Sequence, residues 1–186
     1  MSHCPTSVVV VASTAADGGP VGMVVGTFTS VSLSPPLVAF MASRSSRTFA
    51  RMRSSSSFAV SVLAADQDDV RRAFGRSDQT RRWHGVRWRR SPSGSPVIEG
   101  ATAWVDCAWG GVMPAGDHHV VLGEVTALGA GSSRPPLVFH EARYVTVTEL
   151  TATRAVPSRT AASVLRGACY PTEGLRALPP ESRDIA

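Results

Sequence analysis

Residues 22–40 read GMVVGTFTSVSLSPPLVAF. The stretch opens as an apolar strand, passes through hydroxyls at Thr27, Thr29, Ser30 and Ser32, stops at Pro35-Pro36 and resumes as a strand. Proline brings no N–H to a ladder, so a double proline excludes a central strand there and requires a turn or an edge. Along an extended segment alternate side chains share a side, which puts Thr27 and Thr29 on one surface while Phe28 faces the core. Those hydroxyls fit either a ligand surface or a solvated sheet face.

On the N-terminal side, Val8–Ala12 is a continuous apolar run, and the Asp-Gly within 16–20 is a hairpin signal. Further strands are expected over 21–28, 37–41, 58–63, 101–109, 119–128 and 136–147, with turns at Gly110-Gly111 and at 114–116. Residues 46–53 read as a short helix capped by Ser46, with Phe49 and Met52 three apart on one face. A second helix is expected over 65–74, with Asp66, Asp68 and Asp69 in its first turn and Arg71 and Arg72 near its end. Periodicity is lost over 75–100, which reads as a long surface excursion. Many short strands with few helices imply a small β-barrel with helical decoration.

A chain of 186 residues suits one domain, here 1–150, followed by a C-terminal arm or loosely ordered tail over 151–186. The 43% hydrophobic and 18% charged content is that of a globular protein. No apolar run approaches the ~18–20 residues of a membrane span, and the N-terminal segment lacks the basic region of a signal peptide. The net charge of +5 comes with 19 arginines and no lysine, a bias that reflects a GC-rich genome as much as any partner. Cys4, Cys107 and Cys169 are odd in number and far apart, so neither a disulfide framework nor zinc is indicated and a cytoplasmic setting is expected.

In order along the chain stand GMxxxxFTSVSLxPPLV, Ser43-Arg-Ser-Ser-Arg-Thr48, FAVSVLAADQ at 58–67, Trp104-Val-Asp-Cys107, Ala115-Gly-Asp-His118, Gly123-Glu-Val125, Pro136-Leu-Val-Phe-His140 and Tyr144. This series resembles the flavin reductase family over roughly residues 5–148. The resemblance implies a mainly β fold, the FMN-binding split β-barrel with short helices, in dimeric form. It implies FMN, or FAD, as the flavin, NADH or NADPH as co-substrate, and a separate monooxygenase that receives the reduced flavin. Each flavin would lie in a groove near the interface of a homodimer. Carried over by position, Val24, Val25, Gly26 and Thr27 would line the isoalloxazine ring. Ser30, Val31, Ser32 and Leu33 would add backbone and hydroxyl contacts, and Ser43, Ser46, Arg47 and Thr48 would hold the phosphate. A capped helix start with an arginine is independently a sensible anion site, and equally an ordinary cap with a solvated side chain.

The chain departs from its relatives at Val24-Val25-Gly26, at Ser34 before the prolines and at Ser61. Thr27 and the backbone contacts remain, so flavin binding is expected to persist, with a changed reaction left open. His118 would orient the substrate or stabilise the reduced ring; a histidine closing a turn is the competing reading. Neighbouring residues on a strand face opposite ways, so His118 and His119 do not form a metal site. Arg81–Arg90 interleaves basic and aromatic residues, which suits single-stranded nucleic acid, a cofactor cover or a partly packed excursion; no binding motif surrounds it, and nucleic acid is not expected. The leading reading is an NAD(P)H-dependent flavin reductase with His118 as its catalytic residue. The alternatives are a biosynthetic oxidase or cyclase that retains its flavin, and a non-enzymatic flavin carrier.

Overall fold

Along the chain run β1 Thr6–Ser7, β2 Val9–Thr14, β3 Pro20–Val25, β4 Thr29–Leu33, β5 Pro36–Ser43, α1 Arg47–Met52, β6 Ser57–Val62, α2 Asp68–Phe74, β7 Trp88–Arg90, β8 Pro96–Ile98, β9 Ala103–Ala115, β10 His118–Ala130, β11 Leu137–His140 and β12 Arg143–Thr146. The structure, a computed structural model, describes residues 3–148, so the expected C-terminal arm and Cys169 lie outside the described residues. Seven strands form one antiparallel sheet in the order β3-β2-β6-β9-β10-β5-β4, flanked by a β1-β11-β12 sheet and the β7-β8 hairpin.

The valine run explains the architecture. Val9 and Val11 of β2 point into a core with Phe40, Met52, Phe58, Val60 and Val121, while Val8, Val10 and Ala12 point the other way, onto Leu63, Val70, Phe74, Ile98 and Leu137. A strand covered on both faces reads as a continuous apolar run instead of an alternating one. Each valine so buried contributes about 1.5–3 kcal/mol, which makes β2 the shared wall of the two cores.

The double proline does terminate a strand: β4 is an edge strand and β5 begins at Pro36. Ser46 caps α1, its Oγ accepting from Phe49 N–H at 3.1 Å, and Phe49 and Met52 are buried. The second helix begins later than 65, at Asp68, because Gln67 holds the preceding turn: its side chain accepts from Ala64 N–H at 3.0 Å and donates to the Glu99 carbonyl at 2.8 Å.

Three further expectations are corrected. Gly110-Gly111 is no turn but lies inside β9, where Leu122 pairs with Gly111 and Gly123 with Trp109, leaving Gly110 as the extra residue of a bulge; glycine marks bulges as well as turns. The expected strand over 136–147 is a hairpin, folded at Glu141 and Ala142, whose φ angles are +48° and +60°. The segment 75–100 is not simply a surface excursion. It carries a 3₁₀ turn at Gln79–Arg81 and the β7-β8 hairpin, and it buries Val86, Ser91, Ser95, Val97 and Ile98. Trp83 packs edge-on against Phe74 and Trp88, with ring centroids 4.9 and 5.8 Å away. Asp106, fully buried on β9, accepts from Ser91 Oγ at 2.9 Å, Ser93 N–H at 2.8 Å and Ser93 Oγ at 2.6 Å, tying the hairpin loop to the barrel. A segment fixed by a few anchors and one buried carboxylate carries no periodic signal.

Candidate functional site

A cleft of about 490 Å³ opens at the barrel's seam, where β3 and β5 face each other. Thr27, in the link between β3 and β4, bridges toward β5: its Oγ1 accepts from Met41 N–H at 2.9 Å and donates to the Met41 carbonyl at 3.3 Å. One hydroxyl thus performs what a ladder pair would do, which explains a polar residue in the apolar stretch. One wall of the cleft is apolar, formed by Met23, Val24, Val25, Gly26, Met41 and Ala42. Polar groups gather at Ser43, Ser46, Thr48, Arg71, Arg82 and His118, with Phe74, Gly75 and Tyr144 completing the lining.

Eight of the residues expected from sequence meet here: Val24, Val25, Gly26, Thr27, Ser43, Ser46, Thr48 and His118. The other five do not join the lining. Ser30, Val31, Ser32 and Leu33 lie on β4, the outer edge strand, with Val31 and Leu33 51% and 74% exposed, and Arg47 faces solvent from α1. Arg71, Arg82 and Tyr144 were missed as site residues. Arg82 stands in the Arg/Trp segment that composition flags, but no local pattern sets it against Thr48.

The electrostatics differ from one cation to the next. Arg71 Nε lies 2.6 Å from Asp68 Oδ1, and its guanidinium stacks 4.1 Å from the centre of the Tyr144 ring. The Arg71 hydrogen bond, with the Arg71 and Arg72 charges behind it, holds the Asp68 carboxyl below its ordinary range against the opposing effect of burial. Arg82 is half-buried, and burial pushes its pKa down. Its Nη1 donates to Thr48 Oγ1 at 3.1 Å and its Nε to the Arg76 carbonyl at 2.9 Å.

His118 follows the two-residue Gly116-Asp117 turn, where Gly116 has a φ of +62°. Its Nδ1 lies 2.7 Å from Asp117 Oδ1, and that hydrogen bond, then the imidazole's charge, lowers the Asp117 pKa. An ionised carboxylate only accepts, so Nδ1 carries the proton and Nε2 is the ring's remaining polar atom. His119 instead sits beside Phe49, at 5.7 Å.

This donor set fits an amphipathic nucleotide. The cleft volume lies in the ~300–1,000 Å³ range of small-molecule sites, an apolar wall suits a planar ring, and the hydroxyl and guanidinium groups suit a phosphorylated tail. The family described as "Flavin reductase like domain" matches residues 1–148. The chain belongs to that family, and its barrel is the family's split barrel. It is 42% identical over 144 residues to a flavin reductase of Pseudomonas putida, covering 77% of this chain and 84% of the relative. It is 38% identical over 136 residues, 73% of this chain and 69% of the relative, to the reductase subunit HsaB of a flavin-dependent monooxygenase from Rhodococcus jostii. Among solved structures it is similar to the NADH:FAD oxidoreductase SgcE6 of Streptomyces globisporus in complex with NAD and FAD fragments: TM-score 0.74, 34% identity, 81% of this chain and 90% of that one. Among the described residues no helix is long and apolar enough to cross a membrane.

Proposed function

We propose that this protein is a flavin reductase that oxidises NADH or NADPH, reduces FMN or FAD, and passes the reduced flavin to a separate monooxygenase. The observation that carries this reading is the seam cleft itself, with an apolar wall and a hydroxyl- and guanidinium-bearing remainder, in a chain of the flavin reductase family. The flavin, when bound, supplies the two-electron chemistry by accepting hydride from the nicotinamide. The chain's own part is to bind and orient. Val24, Val25 and Gly26 form the wall for the ring and exclude water from one side, while Thr27 keeps the seam at fixed width through Met41. Ser43, Ser46 and Thr48 offer hydroxyls to the polar portion. His118, its tautomer fixed by Asp117, presents a polar edge to the nicotinamide or to the charge that develops on the ring. No general base is required.

A homodimer belongs to the same reading, supported by the exposed apolar residues Val31 and Leu33 on the sheet's edge strand β4. Light scattering on purified protein tests it, and a monomer at micromolar concentration overturns it. For the activity, steady-state oxidation of NADH or NADPH is followed with and without added FMN or FAD. Turnover that depends on added flavin is expected. Tight flavin retention without turnover by either nucleotide moves the assignment to the oxidase or cyclase reading.

A further inference from the structure

A second cavity, of about 300 Å³, opens where the end of α1 meets β9, lined by Arg53, Trp109, Gly110, Gly111 and Val112. It shares no residue with the seam cleft. The barrel itself does not require its glycine pair. Neither glycine has a positive φ, and a Cβ on either would meet its nearest neighbour no closer than 3.4 Å. Glycine weakens a strand interior, and one that neither conformation nor crowding demands marks a place where a ligand or another backbone comes close. Arg53 is exposed, and no acidic residue stands between Asp17 and Asp66. Among the described residues Arg53 forms no ion pair, whereas Arg51 pairs with Asp17 at 3.4 Å. The Trp109 ring is fixed against Phe58 and Phe49, with centroids 4.6 and 6.2 Å away. Among the described residues two buried side-chain nitrogens have no partner, Trp109 Nε1 and His119 Nδ1, and both rings pack on Phe49. Buried polar groups are nearly always matched, so their concentration at this end of the barrel calls for a further group there.

We infer that this cavity binds a small aromatic carboxylate, with its ring against the Trp109 indole and Val112, beside the bare backbone of Gly110-Gly111, and its carboxylate on the Arg53 guanidinium. The volume lies at the lower bound of small-molecule sites, which limits the ligand to about one ring. Aromatic pairs gain more than their buried area, and the guanidinium fork matches two carboxylate oxygens at once. A neutral aromatic would leave the unpaired cation unanswered. An aliphatic acid would leave the indole without a matching ring. The site stands independently of the flavin reading of the seam cleft.

Calorimetric titration of benzoate, benzamide and acetate into the wild type, Arg53→Gln and Arg51→Gln tests this, with amide and indole spectra of nitrogen-labelled protein reporting the place. Arg51 is the charge control: it is exposed, paired with Asp17 and outside the lining. Benzoate is expected to bind the wild type with a Kd of about 1 mM or tighter, and benzamide and acetate about fivefold more weakly or worse. Arg53→Gln costs benzoate about fivefold, the upper end for an ion pair with an exposed partner, and Arg51→Gln leaves it at the wild-type level. The indole N–H signal that Trp109→Phe removes should move when benzoate is added, while those of Trp83, Trp88 and Trp104 stay. The thermal midpoint reports whether each variant is folded. The inference is overturned if benzoate does not bind, if benzamide or acetate binds as tightly, or if Arg51→Gln costs as much as Arg53→Gln. It is equally overturned if the Trp109 signal stays still, if FMN displaces benzoate, which puts the acid in the seam cleft, or if Arg53→Gln dissociates a dimer, which assigns the cavity to a second copy.

Discussion

Substituting Asn for Asp106 tests whether one buried carboxylate holds the Arg82-bearing segment to the barrel. The carboxylate is fully buried and accepts three hydrogen bonds, two at Oδ1 from the Ser91 and Ser93 hydroxyls and one at Oδ2 from the Ser93 N–H. Asparagine keeps the shape. Its oxygen can still accept both hydroxyls, but each bond falls from the charged class, worth about 1.5–3 kcal/mol, to the neutral class at about 0.5–1.5. Its amide then faces the Ser93 N–H donor to donor, which leaves a buried donor unmatched at about 1–3 kcal/mol. Against this stands relief from burying a charge, which favours the asparagine by several kcal/mol. The net expectation is a loss of about 2–4 kcal/mol, or about 4–16 °C in the unfolding midpoint for a domain of this size. Urea unfolding followed by tryptophan fluorescence measures it, and limited proteolysis of native protein should become faster within the 91–95 loop between β7 and β8. A loss below about 0.5 kcal/mol means that desolvation cancels the bonds, which refutes the role of Asp106 as the anchor.

His118→Ala is expected to slow flavin reduction in stopped flow while oxidised-flavin affinity holds, since an interaction that strengthens in the transition state acts on the chemical step; an unchanged rate removes His118 from the chemistry. Replacing Glu141-Ala142 by Asn-Gly should raise the unfolding midpoint, because both positions have φ above zero, which costs most residues about 1–2 kcal/mol each and Gly or Asn less. The same change removes the exposed His3–Glu141 ion pair, worth about 0–1 kcal/mol, and a lowered midpoint refutes the argument. Burial, then the Asp106 charge, pushes the Cys107 thiol up to about 12 from its ordinary 9.0. The folded form therefore holds the proton more tightly, so this contribution to stability is complete below pH 9 and is lost as pH climbs toward 12. Cys107→Ala should flatten that alkaline slope, and an unchanged slope assigns it to other groups.

The parts of the fold legible in the sequence are those whose cause is local. Asp-Gly at 17–18 specifies the first hairpin, Ser46 caps α1 through a bond three residues on, and Pro35-Pro36 confines β4 to an edge. The expected surface excursion at 75–100 failed because its anchors are remote: Asp106 reaches it from β9, and Phe74 meets Trp83 from α2. Gly110-Gly111 failed for a different reason, since the same residue type serves a turn and a bulge and only the partner strand decides.

The site divides along the same line, and that division bears on the function. Alternation along 22–33 tells which side chains share a face, but not which edge of the sheet curls round to meet the other. Val24–Thr27 adjoin the closing seam and line the cleft; Ser30–Leu33, three residues further on, belong to the strand outside β5. The fold also assembles the polar groups, since Thr48, Arg82 and Tyr144 come from three distant stretches and meet at the cleft. Val24-Val25-Gly26 fall on the apolar wall of this cleft. Arg82 arrives from a segment with no strand or helix signal of its own, so the apolar wall of the cleft and this lining cation rest on separate elements. Substitutions in the wall and in that segment should then disturb the cleft independently.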